Sequence, residues 1–92
     1  MFDPLLHQTI RSKLVSLLIS NDELPFKALK DALEVTDGNL SSHLAKLEKE
    51  NYISIEKVFE GKRPKTVAKI APDGRKAFVS YIEALKQFIE DN

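Results

Sequence analysis

The sequence predicts a small α+β fold that is mainly helical with one β-hairpin, in the order helix, helix, helix, strand, strand, helix. Apolar residues recur at helical spacing in three segments of the first half. β-branched and aromatic residues then fill 52–59 and 66–70, on either side of a turn that contains Gly61 and Pro64. A long aromatic-rich stripe closes the chain. The length of the chain, 92 residues, favours a single domain, 1–92.

Charge is balanced overall but unevenly distributed. The chain has 14 basic and 14 acidic residues, a formal net charge of zero that counts against indiscriminate binding to polyanions. From Lys57 to Lys76, however, seven residues are basic and two are acidic, so that segment carries +5. A basic patch on a neutral protein predicts one localised anionic partner.

Several classes of function lack their residues. There is no cysteine, which excludes disulfides, thiolate catalysis and Cys-ligated metals. His7 and His43 are the only histidines, and no HExxH, P-loop or GxGxxG pattern occurs, so we expect no enzyme, no cofactor and no metal. No apolar run spans a bilayer and no signal peptide opens the chain, so we expect no membrane partner and a cytoplasmic location.

The first helix is expected to begin at Pro4, with Asp3 as its N-cap, and to end near Ser20. Its apolar stripe contains Leu6, Ile10, Leu14, Leu17 and Leu18, and the stripe is widened by Leu5, Val15 and Ile19. A small domain cannot bury so wide a surface, so we expect part of it, including Leu5 and Val15, to contact a second copy of the chain.

Two short helices follow and predict a helix-turn-helix at about 25–50. Pro25 starts the first of them, and Thr36 is a suitable N-cap for the second. The second helix has an apolar stripe of Leu40, Leu44 and Leu47 and a polar outer face of Asn39, Ser42, Lys46 and Lys49. Such a face suits base edges and phosphates in a major groove, although an ordinary solvated helix surface looks the same.

The hairpin is expected at about 53–70, after a left-handed helix cap at Asn51. Its tip holds three cations within four residues, Lys62, Arg63 and Lys65. A charged tip is often only a soluble turn. Directly after a helix-turn-helix, the three cations favour contact with phosphates or the minor groove.

The last helix is expected at about 72–90, opened by Pro72-Asp73-Gly74. Its stripe contains Phe78, Tyr81, Ile82, Leu85, Phe88 and Ile89. It either covers only the sheet and the first helix or extends beyond them to a second copy. We predict the second arrangement, with Tyr81, Leu85, Phe88 and Ile89 at the dimer interface.

Three segments in this order, 33–53, 59–66 and 70–75, resemble the winged-helix transcriptional regulators of bacteria and archaea, in the broad MarR/ArsR-like group. The resemblance covers nearly the whole chain. It implies a winged helix-turn-helix that binds double-stranded DNA. One departure is Ala71, where the family commonly has Thr, and the missing N-cap would cost the last helix about 1 kcal/mol.

The resemblance also implies site residues. The major-groove residues are Asn39, Ser42, His43 and Lys46, the helix contacts to the DNA backbone are Thr36 and Ser41, and the wing contacts are Lys62, Arg63 and Lys65. We therefore expect a dimeric, sequence-specific regulator of transcription. The alternative is a winged-helix module that binds another protein without touching DNA. Nothing polar and convergent marks a site for a small-molecule effector.

Overall fold

The computed structural model describes residues 3–91 and has the predicted mixture of helices and one hairpin. The elements, in chain order, are α1 (Thr9–Asn21), β1 (Glu23–Pro25), α2 (Phe26–Leu33), α3 (Asp37–Lys49), β2 (Ile53–Glu60), β3 (Arg63–Ile70) and α4 (Pro72–Asp91). The hairpin is confirmed, and α2, α3 and α4 begin within a residue of their predicted starts. The sequence order lacked one element, the short strand β1.

Strand β1 joins the hairpin in a three-stranded antiparallel sheet with the order β1-β3-β2. Leu24 pairs with Ala68 on one side of β3, and Ile55 pairs with the same residue on the other. A strand of three residues that ends in proline gives almost no local signal, and proline is tolerated only at such an edge. This pairing ties the connection between α1 and α2 to the base of the hairpin.

The core lies between the first three helices and the sheet. Its largest fully buried side chains are Leu6, Leu14, Leu18, Leu29, Leu40, Leu47 and Val15. Ile53 and Ala68 bring the sheet into the same cluster. Leucine dominates because its branched side chain packs well on facing helices with few polar atoms to satisfy.

Helix α1 begins at Thr9, so the predicted start at Pro4 is wrong. The Asp3 carboxylate accepts the backbone N–H of Leu5 at 2.9 Å, and the Asp3 carbonyl accepts the N–H of His7 at 2.8 Å. Aspartate here stabilises a turn in place of a helix cap, which is the competing use of the same side chain. The turn carries Leu6 into the core, where it is fully buried.

The prediction that Val15 faces a second copy is also wrong, because Val15 is completely buried within one chain. Helix α1 is the central helix of the fold and contacts α2, α3, α4, β1 and β3. Its wide apolar surface is therefore largely used internally. Leu5 is half-buried and packs against the same core.

The junction between α3, the hairpin and α4 is built around Tyr52. Asn51 has the predicted left-handed conformation (φ 62°), and the N–H of Tyr52 returns to the Leu47 carbonyl at 3.0 Å. The Tyr52 carbonyl accepts the N–H of Ala71 at 3.0 Å. Gly74 packs on this carbonyl so closely that an added Cβ would lie 2.1 Å from the oxygen. The third residue of Pro72-Asp73-Gly74 must therefore lack a side chain.

Candidate nucleic-acid interface

Helix α3 is fixed firmly at its N-terminus. The Thr36 hydroxyl accepts the backbone N–H of Asn39 at 3.1 Å, which confirms the predicted cap. Asp37 lies in the first turn, where its negative charge interacts favourably with the positive end of the helix dipole. Its carboxylate is 2.8 Å from the Lys30 ammonium of α2. The hydrogen bond and charge of Asp37 raise the pKa of Lys30. This ion pair links the two helices of the helix-turn-helix at the exposed surface.

The polar residues of α3 form an exposed face opposite its apolar stripe. Asn39, Ser42 and Lys46 are all exposed, whereas Leu40 and Leu47 are fully buried. Gly38 belongs to the exposed face, and nothing lies within 4 Å of a Cβ built there. Successive helical residues turn by about 100°, so Ser41 lies on one flank of this face and His43 on the other.

The flank with Ser41 faces the hairpin. A shallow groove there is lined by Phe26, Ser41, Leu44, Ala45, Glu48, Ile55 and Thr66. It brings α3 residues together with residues of β2 and β3. The hairpin therefore borders the exposed face of α3 on the Ser41 side, as the wing of a winged helix does.

The wing is long and ends in a two-residue turn. The pairing of β2 with β3 runs from Ile53 opposite Ile70 to Glu60 opposite Arg63, and Gly61 takes the left-handed conformation (φ 67°) that the turn requires. Lys62 lies in this turn and is exposed, as is Arg63. The Lys65 ammonium is 3.5 Å from a Glu60 carboxylate oxygen, so part of its charge is balanced within the wing.

Strand register divides the tip residues between the two faces of the wing. Directly opposed residues share a face and successive residues alternate. Pro64 and Phe59 therefore share the face of Ile55 and Ala68, which pack toward the helices. Arg63 and Lys65 lie on the other face. The structure does not bring these two cations onto the same face of the wing as Ile55.

Phe59 is a surface residue that the sequence analysis did not single out. Its side chain is 72% exposed, the largest value among the exposed large hydrophobic residues in the described part of the chain. The signal was available in the alternation of β2, which places Phe59 on the inward face with Ile53 and Ile55. The tip of the hairpin extends beyond the residues that pack on Ile53 and Ile55, so the inward face continues into solvent.

His43, on the other flank of α3, is half-buried against α1. Its Nδ1 atom is 3.4 Å from the Nη1 atom of Arg11, and the Nε–H of Arg11 donates to the Leu5 carbonyl at 2.7 Å. Burial lowers the pKa of His43, and the positive charges of Arg11 and Lys46 lower it further. Arg11 was also missed, although a lone arginine within an apolar stripe was a usable signal.

A second surface, formed by α1, α2 and α4, is largely apolar. Leu17 of α1, Leu33 of α2 and the α4 residues Phe78, Tyr81, Ile82 and Leu85 line an open groove. Beyond it, Phe88 and Ile89 are 58% and 67% exposed. Of the predicted dimer residues, Tyr81 and Leu85 are half-buried against the chain, and Phe88 and Ile89 lie mostly in solvent.

Residues 10–89 match the family model described as a winged helix DNA-binding domain. The chain belongs to this family. An uncharacterized protein of Methanocaldococcus jannaschii is 38% identical over 81 residues, which cover 88% of each chain. The family match confirms the predicted fold and, with it, DNA-binding transcriptional regulation as the function of this winged-helix chain.

Solved structures have the same architecture. A transcriptional regulator homologue from Pyrococcus horikoshii superposes with a TM-score of 0.89 at 29% identity, covering 95% of this chain and 86% of that one. A variant of S. aureus MepR bound to an oligodeoxyribonucleotide has a TM-score of 0.70 at 21% identity, covering 98% and 71%. A MarR-family protein of Enterococcus faecalis has a TM-score of 0.75 at 20% identity, covering 95% and 77%. The fold is therefore that of MarR-like regulators.

Two kinds of feature are absent from the described residues, 3–91. No three histidine or carboxylate side chains in this part of the chain group closely enough to hold a metal ion. None of its helices combines the length and the apolar character needed to cross a bilayer.

Proposed function

We propose that this winged-helix regulator binds double-stranded DNA sequence-specifically as a homodimer, with α3 in the major groove and the wing on the backbone or in the minor groove. The observation that supports this most strongly is the exposed polar face of α3, bordered by a wing whose tip carries Lys62 and Arg63. The proposal includes a cytoplasmic location, because a DNA-binding regulator must share a compartment with the chromosome. It assigns no reaction to the chain.

The residues divide by chemistry into reading and positioning groups. Asn39 and Ser42 are short and exposed, and their amide and hydroxyl groups both donate and accept, as base edges require. Lys46 lies one turn beyond Ser42 and meets phosphate as a point charge. Thr36 and Ser41 lie beside this exposed face of α3 and contact the DNA backbone. The wing adds Lys62, Arg63 and Lys65.

Dimerisation through α4 lengthens the stretch of DNA that the protein can contact, because one subunit covers too little. Helix α3 is about 20 Å long, so a single copy reads only a few base pairs. Phe88 and Ile89 give α4 an exposed apolar end, and the half-buried Tyr81 and Leu85 continue that stripe toward the core. Leu5, also half-buried, is included in the proposed interface. An apolar surface of this kind on a small domain favours a partner copy over water. A two-fold dimer would place two copies of α3 on successive turns of DNA.

Binding to DNA selected from a random pool, measured by fluorescence anisotropy over a range of salt concentration, tests the proposal. Lys62→Ala and Arg63→Ala are expected to weaken binding to all sequences and to reduce the salt slope by about one per charge removed. Asn39→Ala and Ser42→Ala are expected to change sequence preference and leave the slope alone. Lys86→Ala, an exposed cation on α4, is the control and should bind like the wild type.

A module that binds only another protein is the alternative that the exposed apolar end of α4 favours. In that case the wild-type chain selects no DNA sequence, and neutralising the wing changes nothing. Capture of a protein partner by a chain with both Lys62→Ala and Arg63→Ala, together with absence of DNA selection, would replace the proposed function.

A further inference from the structure

We infer that Arg11 is a positioning residue of the DNA-binding surface. It holds the His43 ring as the neutral tautomer protonated on Nε2, so that α3 offers a hydrogen-bond donor, and not an acceptor, at this position. The use of that donor on DNA rests on the proposed function. The tautomer itself is a property of the chain without DNA.

Contacts with residues other than His43 fix the Arg11 side chain. Its side chain is buried, with 8% of the residue exposed, and its Nε–H donates to the Leu5 carbonyl at 2.7 Å. Leu5 is fixed in turn, because its N–H donates to an Asp3 carboxylate oxygen at 2.9 Å. The other Asp3 oxygen accepts the hydroxyl of Tyr52. These contacts therefore orient the guanidinium independently of its contact with the imidazole.

No ion pair joins Arg11 to a carboxylate among residues 3–91. A buried guanidinium usually has an acidic partner, because desolvating a cation is costly. Among these residues, Arg11 instead contacts a backbone carbonyl and the Nδ1 atom of His43, which is 3.4 Å from Nη1. The imidazole thus fills a place that a carboxylate would ordinarily occupy.

The chemistry of the pair decides the tautomer. A guanidinium only donates hydrogen bonds, so the ring nitrogen facing it must accept. Nδ1 of His43 then carries no proton, and the proton of the neutral ring is on Nε2. Protonating Nδ1 would set two donors and two positive charges against each other, and Lys46 adds a third charge nearby. Burial and these charges together hold the pKa of His43 below its usual value.

A fixed tautomer makes recognition more selective. An imidazole that exchanges its proton between the two nitrogens can offer either a donor or an acceptor, so it discriminates poorly. With the proton held on Nε2, His43 at the edge of α3 pairs with acceptors alone, such as guanine O6 and N7, thymine O4 or a phosphate oxygen. It does not pair with the amino groups of cytosine or adenine.

Imidazole ¹⁵N NMR of the chain without DNA tests the tautomer, and a His7→Gln variant leaves one histidine to observe. The wild-type ring is expected to show an unprotonated Nδ1 and a protonated Nε2. Arg11→Met is expected to give a mixture of tautomers and to raise the pKa of His43 toward its ordinary value. A wild-type ring protonated on Nδ1 would overturn the inference, and this result needs no variant to fold.

Selection from random DNA tests the use of the donor. His43→Ala and Arg11→Met are expected to lose preference at the same base position, with no further loss in the double variant. Arg11→Lys keeps a charge but not the planar fork and should restore the preference only in part. If Arg11→Met keeps the wild-type preference, the positioning role is wrong. Absence of any DNA selection by the wild-type chain would overturn the proposed function without altering the NMR result.

Discussion

Helices α3 and α4 both carry apolar residues at helical spacing, but the chain covers the two stripes very differently. Leu40, Leu44 and Leu47 of α3 are 0%, 5% and 0% exposed, whereas Phe88 and Ile89 of α4 are 58% and 67% exposed. Helix α3 buries its apolar face within the chain and exposes its polar face to solvent. Helix α4 keeps its apolar end outside.

This contrast shows that amphipathic periodicity alone does not reveal what a helix faces. A stripe of three leucines on α3 fits the space between α1 and the sheet, so its burial is complete within one chain. The stripe of α4 extends beyond the surface that the rest of the chain covers, and Gly74 is the only buried residue of that helix. The two helices should therefore respond in opposite ways to substitution.

The largest effect is expected from Leu47→Ala, which removes a fully buried side chain from α3. The lost contacts and the cavity should lower the free energy of unfolding by about 2–5 kcal/mol, measured by urea denaturation. Ser42→Ala, on the exposed face of the same helix, should change it by less than about 0.5 kcal/mol. Similar losses in the two variants would contradict the described burial of α3.

A smaller loss of stability is expected from Gly74→Ala, where α4 rests on the Tyr52 carbonyl. A methyl group there must push two backbone segments apart, at a cost of about 1–3 kcal/mol. Gly38→Ala in α3 is the matched control, because nothing lies within 4 Å of its added Cβ. Because Gly38 lies in the first turn of α3, that control should leave the free energy of unfolding unchanged or raise it slightly, through the better helix propensity of alanine. Thermal unfolding of both variants distinguishes the two positions.

The smallest effect on monomer stability is expected from Phe88→Ser combined with Ile89→Ser. Both side chains lie mostly in solvent, so a single chain loses little packing when they are replaced. The proposed dimer should instead dissociate, and sedimentation equilibrium would then give the solution mass of one chain. Lys86→Ser, on the same turns of α4, should leave the dimer intact. A double variant that remains dimeric would remove this end of α4 from the interface.

Local signals were sufficient for much of the fold. The helix-turn-helix, the Thr36 cap and the left-handed Asn51 each follow from residues a few positions apart. The start of α1 and strand β1 could not be predicted in this way. Asp3 can cap either a helix or a turn, and only the burial of Leu6 decides between them. Strand β1 forms because it pairs with the open edge of β3, where Ala68 lies 44 residues after its partner Leu24.

The candidate DNA-binding surface was likewise predictable from local sequence only in part. Helical periodicity alone placed Asn39, Ser42 and Lys46 on the exposed side of α3. The contact between Arg11 and His43 joins residues 32 positions apart, and no pattern within either helix reveals it. The exposure of Phe59 depends on how far the wing extends beyond the helices, which is a property of the assembled fold.

Tyr52 lies between α3 and the wing, and its carbonyl accepts the N–H of Ala71 and packs against Gly74 at the start of α4. This one residue links three elements, because its N–H also bonds back to Leu47 of α3 and β2 begins at the next residue. In a dimer joined through α4, the orientation of α3 and the wing relative to the partner copy would depend on these contacts. The spacing of the two half-sites on DNA would then be set at this joint, far from any base.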